Sequence, residues 1–213
     1  MNCFQLILFV LYKTKLLELF SGAKSVGKVA EQLGYEVTSL DLKNADINCD
    51  IMNLNYTVYE SGHFDVIWAS PPYTEYSTAK TVGVRDIDKA NDIVLRTIEI
   101  IEFLNPKYYI IENPQTGKLK DQWMMYGFPY VDVDYCKYGM PYRNITRLWN
   151  NVLEFKPRPL CKKDCNSMVG NTHIATAQRG SRKTLYQYNT LSQLHSIPTE
   201  LIHDDQFSIH LQR

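Results

Sequence analysis

The sequence predicts an α/β fold: a parallel sheet with helices on both faces, followed by a small irregular C-terminal segment. Two observations carry this. Up to about Asn151, short apolar runs alternate with stretches of helical spacing, the order a parallel sheet needs because each strand is reached by a crossover. From Lys156 the texture changes to Pro, Lys, Cys, Gly, Asn and Gln, with little periodicity until residues 191–202. A chain of 213 residues has room for one sizeable domain and an appendage, and the expected division is 14–155 and 156–213.

Taken in order, residues 16–20 form a short apolar strand, and 25–33 an amphipathic helix with Gly34 as its stop. A second strand covers 36–40 and ends at Asp41. A third covers 64–69, and residues 87–104 place Ile93, Thr97, Ile100, Ile101 and Leu104 at helical spacing. A fourth strand over 108–112 runs into Asn113-Pro114, and β-like segments follow at 130–135 and 146–155. The apolar opening at residues 4–12 lacks a basic start and a small-residue cleavage site and is too short to span a bilayer. It reads as an extra element packed on the domain edge.

The balance of 23 basic and 23 acidic residues gives no overall field for nucleic acid. A DNA-binding surface would have to come from local groups such as Lys156, Arg158, Lys162 and Lys163, or Arg179, Arg182 and Lys183; the alternative is a solvated face. Five scattered cysteines, an odd number, argue against a disulfide framework and for a reducing, intracellular location, cytoplasmic or nuclear. No membrane partner is expected.

Five positions along the chain carry chemistry. Phe20-Ser21-Gly22 lies between a strand and a helix start, where backbone can approach a ligand closely and free amides favour a carboxylate or other polar group. Asp41 ends the next strand, placed for ribose hydroxyls. Ser70-Pro71-Pro72-Tyr73 follows the third strand, and rigid backbone at the carboxyl end of a parallel strand is where open α/β folds bind ligands. Glu112 closes the fourth strand, and Arg147 can meet a base carbonyl, a phosphate or a surface carboxylate.

In this order the motifs resemble those of cytosine-C5 DNA methyltransferases, in the compact form met in phages and large DNA viruses. The resemblance runs from about Leu16 to Asn151, with an echo at Ile197-Pro198-Thr199-Glu200-Leu201. It implies a Rossmann-like sheet that binds S-adenosylmethionine, with DNA as partner. Phe20, Ser21 and Gly22 resemble the family's glycine motif, although Lys24 stands where a second glycine is usual. Asp41 matches the ribose contact, Asp50 and Ile51 the pair beside the adenine, and Glu112-Asn113-Pro114 the motif whose Glu grips the target base. Arg143 and Arg147 resemble the family's arginine pair, spaced more widely and with Tyr142 replacing Gln.

Tyr73 departs from the family. It occupies the place of the catalytic cysteine, and a phenol with pKa near 10 is a poor nucleophile where a thiolate is a good one. The tetrapeptide also resembles the Ser-Pro-Pro-Tyr of enzymes that methylate exocyclic amines. There the Ser70 hydroxyl and the Pro71 carbonyl would accept from the amine while Tyr73 stacks on a flipped base. A catalytically inactive DNA-binding relative is the third reading.

The tail holds Cys161, Cys165 and His173 in a Cys-x3-Cys-x7-His pattern suited to zinc, with no obvious fourth ligand.

Overall fold

Leu16, Leu17 and Leu19 form a run that can be buried on both sides of a sheet only if something covers each face. Helices do so here. The structure is a computed structural model that describes residues 13–177, 194 and 196–204. Its main elements are β1 (Lys15–Leu19), α1 (Ser25–Gln32), β2 (Glu36–Asp41), β3 (Ile47–Asn48), β4 (Val66–Ala69), α2 (Ile87–Leu104), β5 (Tyr108–Pro114), β6 (Tyr130–Asp134) and β7 (Ile145–Asn150). A short hairpin, β8 (Met168–Val169) and β9 (Thr172–His173), and a one-turn helix, α3 (Thr199–Ile202), belong to the tail.

Seven strands form one sheet in the order β3-β2-β1-β4-β5-β7-β6. The first five are mutually parallel, and β7 runs antiparallel to both β5 and β6. This is a Rossmann-like order. The chain moves outward from β1 to β3 and then returns to lay β4 on the other side of β1. That switch opens a crevice at the carboxyl ends of β1 and β4, where ligands of such sheets bind.

Alternation along the strands divides the core. Leu17, Leu19, Ile67, Ala69 and Ile111 meet the apolar stripe of α2, including Ala90, Val94 and Ile101. On the opposite face Leu16, Val66, Trp68 and Ile110 pack with Val26, Val29 and Ala30 of α1 and with Leu201 and Ile202 of α3. Each buried Val, Leu or Ile contributes about 1.5–3 kcal/mol. Helix α2 starts where the Asp86 carboxylate caps the Lys89 amide and stops at Asn105 in the left-handed region, before Pro106.

Among the described residues the expected elements are present, with shifted ends. Phe20 leaves the first strand because its φ of 60° begins a turn, and the last strand stops at Asn150, five residues short of Phe155. Two-residue β3 and the β8–β9 hairpin were not anticipated, since strands so short leave no periodic signal. Residues 4–12, Cys3, and Arg179, Arg182 and Lys183 lie outside the described residues. Among the described residues no helix is long and apolar enough to cross a membrane.

Candidate active site

The loop after β1 is built from left-handed backbone. Phe20, Gly22 and Lys24 have φ of 60°, 50° and 54°, and Ser21 N–H donates to Leu40 O at 3.0 Å. The Gly22 amide donates to Asp41 Oδ2 at 2.8 Å, so the carboxylate at the end of β2 holds the turn. The Ser21 side chain is buried and its hydroxyl has no hydrogen-bond partner among the described residues.

Helix α1 has no side-chain cap from Lys24; Glu18 of β1 supplies one instead. Its carboxylate accepts from the amides of Val26 at 3.3 Å and Gly27 at 3.1 Å. The helix-start amides expected to await a ligand are therefore partly taken by the protein's own carboxylate. Burial pushes Glu18 up to about 7, the two amides opposing the rise. Glu18 could have been found as the lone charge among the leucines that follow Lys15 in this strand.

The loop after β4 is held from both faces of the sheet. Ser70 follows Trp68 on the α1 face, where its Oγ accepts from Trp68 Nε1 at 3.1 Å and bonds the Glu112 carboxyl. On the α2 face, Asn113 Nδ2 donates to Pro71 O at 2.9 Å. Tyr76, fully buried, donates its hydroxyl to Asn91 Oδ1 of α2 at 2.9 Å and anchors the loop's far end. Tyr73 remains 38% exposed, and burial together with Glu112 pushes its phenol above the usual range.

Glu112 is buried, and Tyr135 OH donates to its Oε1 at 3.0 Å. Burial pushes this carboxyl up to about 7 against the bonds from Tyr135 and Ser70. Tyr135 escaped sequence reasoning because it follows β6, and only folding of the β6–β7 pair brings it to β5.

One cavity of about 490 Å³ joins these parts. Phe20, Ser21, Gly22, Asp41, Asp50 and Ile51 line one region, and Ser70, Pro71, Pro72, Tyr73 and Glu112 the other. The volume falls in the range of small-molecule sites. Ser196 and Ile197 of the tail also line it, and Ile197 N–H is tied to Ser25 Oγ at 3.1 Å.

Arg143 and Arg147 do not line the cavity. Register pairs Glu112 with Leu148 and Asn113 with Arg147, so alternation puts Arg147 on the sheet face opposite Glu112. There it grips Asp132 through two bonds of 2.7 and 3.0 Å and stacks on Tyr130 at 3.6 Å. Arg143 pairs with buried Asp134 at 2.9 Å. Arg158, one of the expected DNA-facing cations, pairs with Glu200 and Asp204 at 2.8 and 3.2 Å.

A second group lies apart from the cavity. Cys161, Cys165 and His173 come together with Cys136, and the four ligand atoms are within 4.8 Å of one another, an arrangement able to bind a metal ion. Cys136 could not be read as a member from the sequence, being remote from the other three.

No protein-family model matches the chain. It is 34% identical over 193 residues to the "Probable DNA (cytosine-5)-methyltransferase" of Frog virus 3 (isolate Goorha), covering 79% of this chain and 88% of that one. The chain belongs to the cytosine-C5-like DNA methyltransferase family. Among solved structures, this family member shares its fold with a proposed DNA modification methyltransferase encoded within an E. coli prophage. That match has a TM-score of 0.51 and 15% identity over 70% of this chain and 52% of the other. The chain thus spans about half the length of that solved structure, which bears on the fold alone.

Proposed function

We propose that the cavity binds S-adenosylmethionine at its glycine-loop end and a cytosine flipped out of DNA at its Glu112 end, and that Tyr73 leaves the chain without the covalent step of C5 methylation. The continuity of the two regions in one cavity carries this reading. The first region suits the cofactor: Ser21 offers a buried hydroxyl without a partner among the described residues, and Gly22 brings backbone close without a side chain. When bound, S-adenosylmethionine supplies an electrophilic methyl group.

Glu112 supports the choice of base. With a pKa near 7, its carboxyl can be protonated at neutral pH and donate to cytosine N3 while its other oxygen accepts from the N4 amine. The base must leave the helix to reach it. This reading assigns no role to Arg143 and Arg147, which pair with Asp134 and Asp132 away from the cavity lining.

The covalent step would need a deprotonated nucleophile to bond cytosine C6. Tyr73 is pushed the wrong way for that. Cys49 also lines the cavity, but beside Asp50 in the cofactor region, and burial and that carboxylate raise its thiol as well.

Amine methylation is the second reading, favoured by the Ser-Pro-Pro-Tyr order. Its two acceptors are already engaged, Ser70 Oγ with Trp68 and Glu112, and Pro71 O with Asn113. An exocyclic amine would have to share or displace those bonds, which places this reading behind the first.

Nucleoside mass analysis of DNA incubated with the protein and labelled cofactor tests both. The expected result is no 5-methylcytosine and no covalent complex with 5-fluorocytosine DNA, with both gained in Tyr73→Cys. A wild-type adduct would mean another nucleophile, and N4-methylcytosine or N6-methyladenine would establish the amine route. Absence of cofactor binding by calorimetry would sink both readings.

A further inference from the structure

Cys136, Cys161, Cys165 and His173 come from three separate places: the turn after β6 (Tyr135–Tyr138), the loop before β8, and β9. Nothing in the cavity reading calls for them. Cys136 and Cys161 are buried, the other two partly so, and all three thiols are free. Three thiols gathered round one imidazole make an odd set for disulfides and a complete one for a tetrahedral metal.

We propose that these four side chains hold a structural zinc ion that clasps the tail to the β6–β7 turn, and so steadies Tyr135 against Glu112. The spacing suits zinc. Zn–S of about 2.3 Å and Zn–N of about 2.0–2.1 Å give a tetrahedral S···N edge of about 3.5 Å. Cys161 Sγ lies 3.6 Å from His173 Nε2. With four protein ligands no position remains for water or substrate, as in structural rather than catalytic sites.

The surroundings fit the charge of such a site. Three thiolates, one neutral imidazole and Zn²⁺ leave one net negative charge, and Lys137 and Arg143 border the cluster. Lys137 pairs with Asp164 at 2.7 Å, joining the β6–β7 turn to the Cys161–Cys165 loop a second time. Within that loop Lys163 adopts φ of 67°, and the amides of Lys163 and Asp164 donate to the Cys161 sulfur. Asp134 lies one layer out, accepting from Arg143 Nε and from the Cys161 amide.

The tail also needs a staple. Its β8–β9 hairpin has two residues per strand, and a hairpin alone is marginal in water. Between residues 156 and 177 the buried positions are Cys161, Ser167 and Ala175, too few to hold the segment by apolar burial. On the other side of the clasp, Cys136 directly follows Tyr135, whose hydroxyl reaches Glu112.

The test uses the full chain, purified under reducing conditions and equilibrated with zinc or cobalt(II) before free metal is removed. One zinc per chain is expected, and the cobalt form should show thiolate charge-transfer bands and tetrahedral ligand-field absorption. Cys136→Ser should weaken zinc retention at least ~10-fold, whereas Cys49→Ser should leave it unchanged. Hydrogen exchange after chelation should rise at residues 156–177 and at Tyr135–Tyr138 together. Wild-type protein that holds no zinc and gives no tetrahedral cobalt spectrum overturns the site; metal loss that leaves Tyr135–Tyr138 protected overturns the clasp. These readouts involve neither cofactor nor DNA, so they stand or fall apart from the reading of the cavity.

Discussion

Tyr135 and Glu112 meet across the sheet, the phenol donating to the carboxyl at 3.0 Å although 23 residues separate them in sequence. The bond places a polar contact between two buried residues that both line the cavity. It also explains why the Glu112 proton is contested: burial raises its affinity, and the Tyr135 and Ser70 hydroxyls lower it.

Stability should fall as pH rises through the neutral range. Folded Glu112 binds its proton up to about 7, whereas its ordinary value is 4.5, so between these the folded state carries the extra proton. The contribution is full below 4.5 and lost above about 7, and Glu18 acts with the same sign over the same window. Glu112→Gln should flatten part of this slope and raise stability at pH 8 by on the order of 2 kcal/mol. Urea unfolding of both proteins at pH 5 and pH 8 checks it; equal slopes would refute the assignment.

Gly22→Asp should abolish S-adenosylmethionine binding in calorimetry. The added Cβ has room, its nearest neighbour being Phe20 O at 4.0 Å, but φ of 50° is unfavourable for a side chain and the new carboxylate would stand beside Asp41. Retained binding with unchanged affinity would move the cofactor away from this loop.

Gly27→Ala should destabilise the fold by about 2–3 kcal/mol. The glycine is helical, so backbone freedom is not the issue; its Cβ would stand 2.5 Å from Glu18 Oε2 and 3.1 Å from Val37 Cγ1. Glu18 would have to withdraw from the amides it caps while staying buried. A thermal midpoint equal to that of the wild type would show that this carboxylate moves freely.

Residues whose meaning is local were legible in the sequence alone. The period of residues 87–104 set α2 to the residue, and the strands ahead of Gly22, Asp41 and Ser70 put those residues at or just past strand ends, where a parallel sheet gathers them; Glu112, expected to close its strand, lies two residues inside β5, which runs on to Pro114. The order of those motifs sufficed for the family resemblance. Tertiary structure decided everything that depends on which sheet face a residue takes and which distant segment arrives there. Antiparallel register gave the place beside Glu112 to Leu148 and sent Arg147, a candidate for the base carbonyl in the sequence, to Asp132. Folding back of the β6–β7 turn brought Tyr135 to Glu112 and Cys136 to Cys161, Cys165 and His173. The physical reason is the same in each case: periodicity is written within a segment, while pairing between remote segments is settled by register and burial, which no local pattern encodes.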